Sequence, residues 1–172
     1  MGDGLWIALG VVCVIFLAMA LAMFRWGNMK EKEYDERQVL ARGRAYRSGF
    51  VALVVLCILY AALSEAGVMA WCSTAAGCCL CICLAATVFA LQCIASDAFA
   101  GFATAPRATA GLLALGAAVN LMFGVMQGLD GELIVDGVLT VWSCNLMIGA
   151  MLAVILCAFL IRQHRARKAE EL

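Results

Sequence analysis

Five long apolar segments run through this chain of 172 residues and constrain its fold more than any other feature. They cover residues 5–24, 46–63, 68–94, 109–126 and 137–161. A bilayer core requires about 20 apolar residues per helix. Because the segments are continuously apolar rather than alternating, they are typical of helices and not of barrel strands. The sequence therefore predicts an all-α, polytopic membrane protein with a five-helix transmembrane bundle, forming a single domain over residues 1–172.

Composition excludes an ordinary soluble domain. Hydrophobic residues make up 66% of the chain and charged residues 14%, whereas soluble domains are about half apolar and a quarter charged. The first segment is predicted to be an uncleaved helix, although Ala18-Met19-Ala20 offers a small-x-small cleavage pattern. Residues 1–4 carry no positive side chain, and the apolar run exceeds the length of a signal-peptide core.

The basic residues orient the predicted bundle. Of the 12 Lys and Arg residues, 11 fall in the gap after the first segment, the gap after the third and the C-terminal tail, and Arg47 lies at the very start of the second segment. Since such loops remain in the cytoplasm, the sequence predicts an N-terminus outside and a C-terminus in the cytoplasm. In the other gaps and before the first segment, the only charged residues are acidic, namely Asp3, Glu65, Asp130, Glu132 and Asp136. Anionic inner-leaflet lipid suffices to explain the basic face, so direct binding of nucleic acid is not expected.

Ten cysteines are present, and most lie inside the apolar segments. The cluster Cys78-Cys79-Leu80-Cys81-Ile82-Cys83 places Cys79 and Cys83 on one helical face. Thiolates there would suit a soft metal such as Cu(I). However, no pair of C-x-x-C motifs is present, and buried cysteine commonly packs as a small hydrophobe. We therefore expect helix packing, with no metal and no cofactor.

Asn120 and Asn145 are the most polar residues deep within the apolar segments. A short loop joins the two segments that carry them, so the two amides could face each other. An interhelical hydrogen bond is the favoured interpretation. The alternative is a solute-binding patch that also includes Trp142.

Small residues mark faces of the fourth segment, as Gly124-x-x-x-Gly128 and Ala114-x-x-x-Ala118. Such patterns predict close helix contact. The sequence leaves open whether that contact lies inside the bundle or in a homo-oligomer.

No Asp, Glu, His, Lys or Arg occupies the middle of any segment. Ion pumps generally require such residues within the membrane, so a coupled pump is not expected. No nucleophile–base signature, phosphate-binding loop or metalloprotease motif is present. The sequence therefore predicts a protein that is not an enzyme and has no catalytic residues.

A charged helix is predicted over about residues 30–47, just before the second segment, where Glu33 and Arg37 form a favourable i,i+4 pair. Its sequence Tyr34-Asp35-Glu36-Arg37-Gln38-Val39-Leu40-Ala41-Arg42-Gly43-Arg44-Ala45-Tyr46 resembles that of small, uncharacterised bacterial multi-pass membrane proteins. Those proteins carry D-E-R-Q-x-x-x-R-G-[KR]-[AG]-[FY] before a transmembrane helix. The resemblance implies a location in the bacterial cytoplasmic (inner or plasma) membrane. Some members are encoded beside helix-turn-helix regulators, which implies a regulatory partner.

Three functions follow as expectations. The first is a binding or regulatory membrane protein that engages a cytoplasmic regulator protein through residues 34–46. The residues predicted to bind this partner are Tyr34, Asp35, Glu36, Arg37, Gln38, Arg42, Gly43, Arg44 and Tyr46. The second is a small-solute transporter or substrate-binding membrane subunit. In support of it, Ala18-x-x-x-Ala22 resembles the docking motif of substrate-binding subunits of energy-coupling-factor vitamin transporters. The third is a structural or assembly role.

Overall fold

The computed structural model describes residues 36–99 and 106–170 of the chain. This part is mostly helical, and four of its helices are long and apolar enough to cross a membrane. The helices are α1 Glu36–Glu65, α2 Thr74–Ala95, α3 Pro106–Leu129 and α4 Cys144–Glu170. A helical, multi-pass membrane protein is thereby confirmed. The first predicted segment, residues 5–24, lies outside the described residues, as does the start of the predicted charged helix.

The helices form two antiparallel pairs. In the first pair, the ring of Tyr46 on α1 lies 4.5 Å from the ring of Phe89 on α2, and Tyr60 contacts Ser73 and Gly77 further along. In the second pair, α3 packs along α4. Helices α2 and α4 also contact each other, so the order across the bundle is α1, α2, α4, α3.

Helices α1 and α2 approach closely at Gly49. A Cβ at this position would lie 3.0 Å from Cβ of Phe89 and 3.5 Å from the carbonyl oxygen of Ala85. Ser73 caps the start of α2, where its Oγ accepts a hydrogen bond from the Ala76 N–H at 3.3 Å. This cap satisfies one of the N–H groups that a helix start leaves without a partner.

Glycines also set the distance between α3 and α4. A Cβ on Gly124 would lie 2.9 Å from the backbone N of Leu146, and one on Gly149 would lie 2.9 Å from the backbone N of Leu121. The contact predicted at Gly124 is thus made inside the bundle. Ala114 and Ala118, which were predicted to share such a face, are exposed on α3.

The main buried cluster joins α2 and α4. It consists of Ala90, Ile94, Ile155 and Phe159. Phe99, which follows α2, packs its ring against Phe159 with centroids 5.7 Å apart. This cluster lies near one end of the bundle and supports the segment immediately after α2.

A two-stranded hairpin precedes α4, with β1 Ile134–Val135 paired to β2 Val138–Leu139. The predicted fifth segment, 137–161, therefore begins in the turn and second strand of this hairpin, and a 3-10 turn at Val141–Ser143 leads into α4. Asp136 and Gly137 form the turn with positive φ values of 51° and 76°. An Asp-Gly pair between apolar residues is a strong hairpin signal, which hydropathy alone does not detect.

The predicted third segment, 68–94, also starts before its helix. Residues 68–71 form turns and Cys72 forms an isolated β-bridge with Leu139. The N–H of Leu139 donates to the carbonyl oxygen of Trp71 at 2.7 Å. The N–H of Ser73 in turn donates to the carbonyl oxygen of Leu139 at 2.9 Å. These bonds join the start of α2 to the hairpin, because the backbone groups of a non-helical segment require partners elsewhere.

The two ends of the bundle differ in charge. We call basic end the end that holds the start of α1, the end of α2, the start of α3 and the end of α4. The described Lys and Arg side chains all lie there, namely Arg37, Arg42, Arg44, Arg47, Arg107, Arg162, Arg165 and Lys168. Glu65, Asp130, Glu132 and Asp136 lie at the opposite end. The separation predicted along the sequence is therefore also a separation in space.

Candidate functional site

The first three turns of α1 present one face to the bundle. Gln38, Arg42, Ala45 and Gly49 recur at i, i+4, i+7 and i+11, which places them along a single side of a helix. Ala45 and Gly49 are buried, and Gln38 and Arg42 are half-buried. Two of the residues predicted to bind a partner, Gln38 and Arg42, therefore turn toward the protein itself. The helix is continuous through Gly43.

The opposite side of the same turns is exposed. Glu36, Leu40, Gly43 and Arg47 also recur at i, i+4, i+7 and i+11, and we call them the α1 outer stripe. All four are exposed, and 64% of Leu40 is accessible. The predicted partner-binding residues Arg37, Arg44 and Tyr46 are exposed beside this stripe. Tyr34 and Asp35 lie outside the described residues.

Gly43 stands out within the outer stripe. A Cβ at this position would meet nothing within 4 Å, so no packing in the described part of the chain requires a glycine here. Glycine in a helix interior costs about 1 kcal/mol relative to alanine. The outer stripe therefore contains a site where another backbone could approach α1 closely.

Asp97, just after α2, connects three elements at the basic end. Its carbonyl oxygen accepts a hydrogen bond from Nε2 of Gln38 on α1 at 2.8 Å. Its carboxylate accepts two from Arg162 on α4, at 3.0 Å from Nε to Oδ1 and 2.6 Å from Nη2 to Oδ2. We call these three residues the Asp97 cluster. It fixes the inner face of α1 relative to α2 and α4.

Backbone geometry explains how Asp97 reaches both partners. The N–H of Ala98 donates to the carbonyl oxygen of Cys93 at 2.8 Å, and the N–H of Asp97 donates to that of Ile94 at 3.2 Å. These two bonds define a Schellman termination of α2. Asp97 occupies the left-handed position of this motif, with a φ of 54°, where glycine is usual. The strained backbone directs the chain away from α2 and frees the Asp97 carbonyl for Gln38.

The ion pair alters the acidity of Asp97. The hydrogen bonds from Arg162, reinforced by its positive charge, hold the pKa of the Asp97 carboxyl below its usual value. Both side chains are substantially exposed, and exposed ion pairs contribute at most about 1 kcal/mol. The cluster therefore positions α1 more than it stabilises the whole fold.

Asn120 and Asn145 form hydrogen bonds with other residues rather than with each other. Nδ2 of Asn120 donates to the carbonyl oxygen of Gly116 in its own helix at 2.8 Å. Nδ2 of Asn145 donates to Oε1 of Gln127 on α3 at 3.1 Å, which is an interhelical hydrogen bond. Trp142 is half exposed. The favoured packing interpretation thus describes Asn145, although its partner is Gln127 rather than Asn120.

The cysteine cluster spreads over several faces of α2. Cys79 and Cys83 share a face, as their spacing predicts, with their Sγ atoms 4.0 Å apart. Sγ of Cys81 on another face donates to the carbonyl oxygen of Leu56 on α1 at 3.6 Å. Within residues 36–99 and 106–170, no three or more His, Cys, Asp or Glu side chains form a group that could hold a metal ion.

Comparison with protein-family models, with characterised proteins and with solved structures gave no match. The candidate site is therefore defined by the geometry of the described residues alone. It consists of the α1 outer stripe, and the Asp97 cluster holds the opposite face of α1 on the bundle. The sequence predicted the segment but not which of its faces is free, because that depends on the contacts of Gln38 and Arg162 with a residue distant in sequence.

Proposed function

We propose that this protein is a binding or regulatory membrane protein whose α1 outer stripe docks a cytoplasmic protein. The observation that carries the proposal is the two-sided character of α1 at the basic end. One side is held on the bundle by Gln38 and by the buried Ala45. The other exposes Glu36, Leu40 and Gly43 in line. Because the bundle already holds α1 in place, the helix loses little conformational freedom when it binds a partner, which favours affinity.

The chemistry of the outer stripe fits a protein partner. Leu40 supplies an apolar contact, Gly43 permits close approach, and Arg37, Arg44 and Arg47 surround them with positive charge. Arginine side chains of this kind pair with carboxylates through geometrically specific hydrogen bonds. The expected partner is an acidic, amphipathic helix that places an apolar residue against Leu40. The resemblance to bacterial proteins encoded beside regulators supports the same class of partner.

The cytoplasmic position of the stripe is part of the proposal. Its support is the clustering of the described basic side chains at one end of the bundle, together with the tendency of such residues to stay in the cytoplasm. A bacterial cytoplasmic membrane is the proposed location, on the same resemblance.

Solute transport has less support. One N–H of the Asn120 amide is held by its own helix and one N–H of the Asn145 amide by Gln127, which reduces the polar groups that each could offer to a solute. An assembly role through exposed Ala114 and Ala118 on α3 is compatible with docking at α1, because the two surfaces belong to different helices.

Co-purification with a matched pair of glycine variants tests the proposal. The tagged full chain is purified in mild detergent, and its protein partners are identified by mass spectrometry. Gly43→Leu fills the centre of the outer stripe. Gly111→Leu is the control, because a Cβ at Gly111 on α3 also meets nothing within 4 Å. We expect a stoichiometric cytoplasmic protein with the parent chain and with Gly111→Leu, and its loss with Gly43→Leu. Retention by Gly43→Leu, or the absence of any such protein, would overturn the proposal.

A further inference from the structure

A cavity of about 160 Å³ lies beside the Asp97 cluster, at the basic end of the bundle. A single water molecule requires about 10–15 Å³ by the same measure, so the cavity has room for a small chemical group. One part of its lining is apolar, from Ile94, Phe99 and Phe159. The other part is polar, from Arg162 and Gln163 on α4 together with Asp97. The lining is thus amphipathic.

Two hydrogen-bond donors beside this cavity remain available. Asp97 takes the Nε and one Nη2 N–H of Arg162, which leaves the other guanidinium N–H groups for a second acceptor. Nε2 of Gln163 is buried and has no hydrogen-bond partner within the described part of the chain. A buried donor without an acceptor costs about 1–3 kcal/mol. A ligand that supplies acceptor oxygens would remove this cost.

The depth of the cavity indicates where such oxygens come from. It lies at the point where the apolar sequence of α4 gives way to Arg162, Arg165 and Lys168. Basic side chains that follow a membrane span lie at the level of the lipid headgroups. Phe99 and Phe159 extend the apolar side of the cavity toward the membrane-spanning part of the bundle. The phosphate of a phospholipid would therefore accept hydrogen bonds from the two donors. The start of one acyl chain would contact the phenyl rings.

We propose that this cavity binds one phospholipid, whose phosphate accepts hydrogen bonds from Arg162 and Gln163. The negative charge of Asp97 is balanced by Arg162, and the surrounding excess of basic side chains favours an anionic group. A side-chain rotation of Gln163, which itself lines the cavity, presents its amide to the phosphate. This site is separate from the α1 outer stripe and does not depend on a protein partner.

A pair of variants separates the site from general electrostatics. Gln163→Glu is nearly isosteric, but it replaces the donor with a negative charge that repels phosphate. His164→Glu makes a similar change in net charge one residue away, at an exposed side chain that does not line the cavity. Gln163→Leu removes the donor without adding charge and serves as a second variant if Gln163→Glu fails to fold.

Lipid binding is measured by native mass spectrometry of the full chain in detergent, titrated with phosphatidylglycerol. We expect one saturable lipid, with an apparent Kd raised at least about tenfold by Gln163→Glu and less than about threefold by His164→Glu. Gln163→Leu should give a weaker loss than Gln163→Glu. Equal effects of the two glutamate variants, or equally tight binding of diacylglycerol, which lacks phosphate, would overturn the proposal. Competition by free inorganic phosphate at concentrations near that of the lipid would also contradict a lipid site.

Discussion

Replacing Gly124 with alanine is expected to weaken the contact between α3 and α4. The added Cβ would lie 2.9 Å from the backbone N of Leu146 and 3.0 Å from its Cα. Backbone atoms cannot rotate away as a flexible side chain can, so the two helices must separate by several tenths of an ångström. Helices inside a membrane are already out of water, so the hydrophobic effect does not drive their association. They depend on close packing instead.

Two opposing contributions to the free energy of unfolding determine how much Gly124→Ala destabilises the protein. Overpacking of a well-packed contact costs about 1–3 kcal/mol, whereas alanine is up to about 1 kcal/mol more favourable than glycine within a helix. Gly111→Ala on the same helix isolates the second term, since its Cβ would meet nothing within 4 Å. The free energy of unfolding should therefore be lower in Gly124→Ala than in Gly111→Ala by about 1–3 kcal/mol.

Reversible unfolding in mixed micelles, with an increasing mole fraction of a denaturing detergent and circular dichroism as the signal, measures this difference. Both variants should retain the helical content of the parent chain before the transition. If Gly124→Ala were as stable as Gly111→Ala, or more stable, the close approach of α3 and α4 at Gly124 would be refuted.

Further variants are informative at the Asp97 cluster and at the hydrogen bond between Asn145 on α4 and Gln127 on α3. Asp97→Ala should unfold more easily than Asp97→Gly by about 1 kcal/mol, because both variants lose the ion pair but only glycine adopts a positive φ without strain; equal stabilities would contradict the left-handed geometry. The pKa of the Asp97 carboxyl is lowered in the folded state. The contribution of this carboxyl to the free energy of unfolding is therefore complete above its usual pKa of 3.8, and it is lost as the pH falls through the lowered pKa. Arg162→Gln should abolish that part of the pH dependence, and an unchanged profile would show that the pair contributes nothing. A double-mutant cycle with Asn145→Ala and Gln127→Ala should give a coupling energy of about 0.6 kcal/mol and at most about 1.7 kcal/mol, whereas additive effects would exclude their hydrogen bond.

The apolar segments were predictable because membrane helices are defined by composition and length. Each of the second to fifth predicted segments contains a helix that is long and apolar enough to cross a membrane, but hydropathy missed the exact ends. Residues 137–139 lie within the fifth predicted segment, although Gly137 belongs to the hairpin turn and Val138–Leu139 form its second strand. The Asp136-Gly137 pair was the signal for this turn, since both residues readily adopt the positive φ values observed there.

The candidate site was predictable only in part. The sequence indicated an exposed, charged helix before the second segment, and Glu36, Arg37 and Arg44 are indeed exposed. It did not indicate that Gln38 faces inward, because its acceptor is the carbonyl of Asp97, far along the chain. Likewise, the spacing of Asn120 did not reveal that its amide bonds to its own helix. Local pattern identifies which residues can form contacts, whereas tertiary packing decides which contacts form.

Site-specific photo-crosslinking in living cells shows directly whether the α1 outer stripe docks a cytoplasmic protein. A benzophenone amino acid is placed at Leu40 in the α1 outer stripe or, as a control, at Phe50. Phe50 is similarly exposed on the same helix, with accessible fractions of 66% and 64% for Phe50 and Leu40 respectively, but it lies within the apolar part. We expect a discrete adduct with a cytoplasmic protein from position 40 and none from position 50. The absence of a protein adduct at position 40, or the same adduct from both positions, would contradict this expectation.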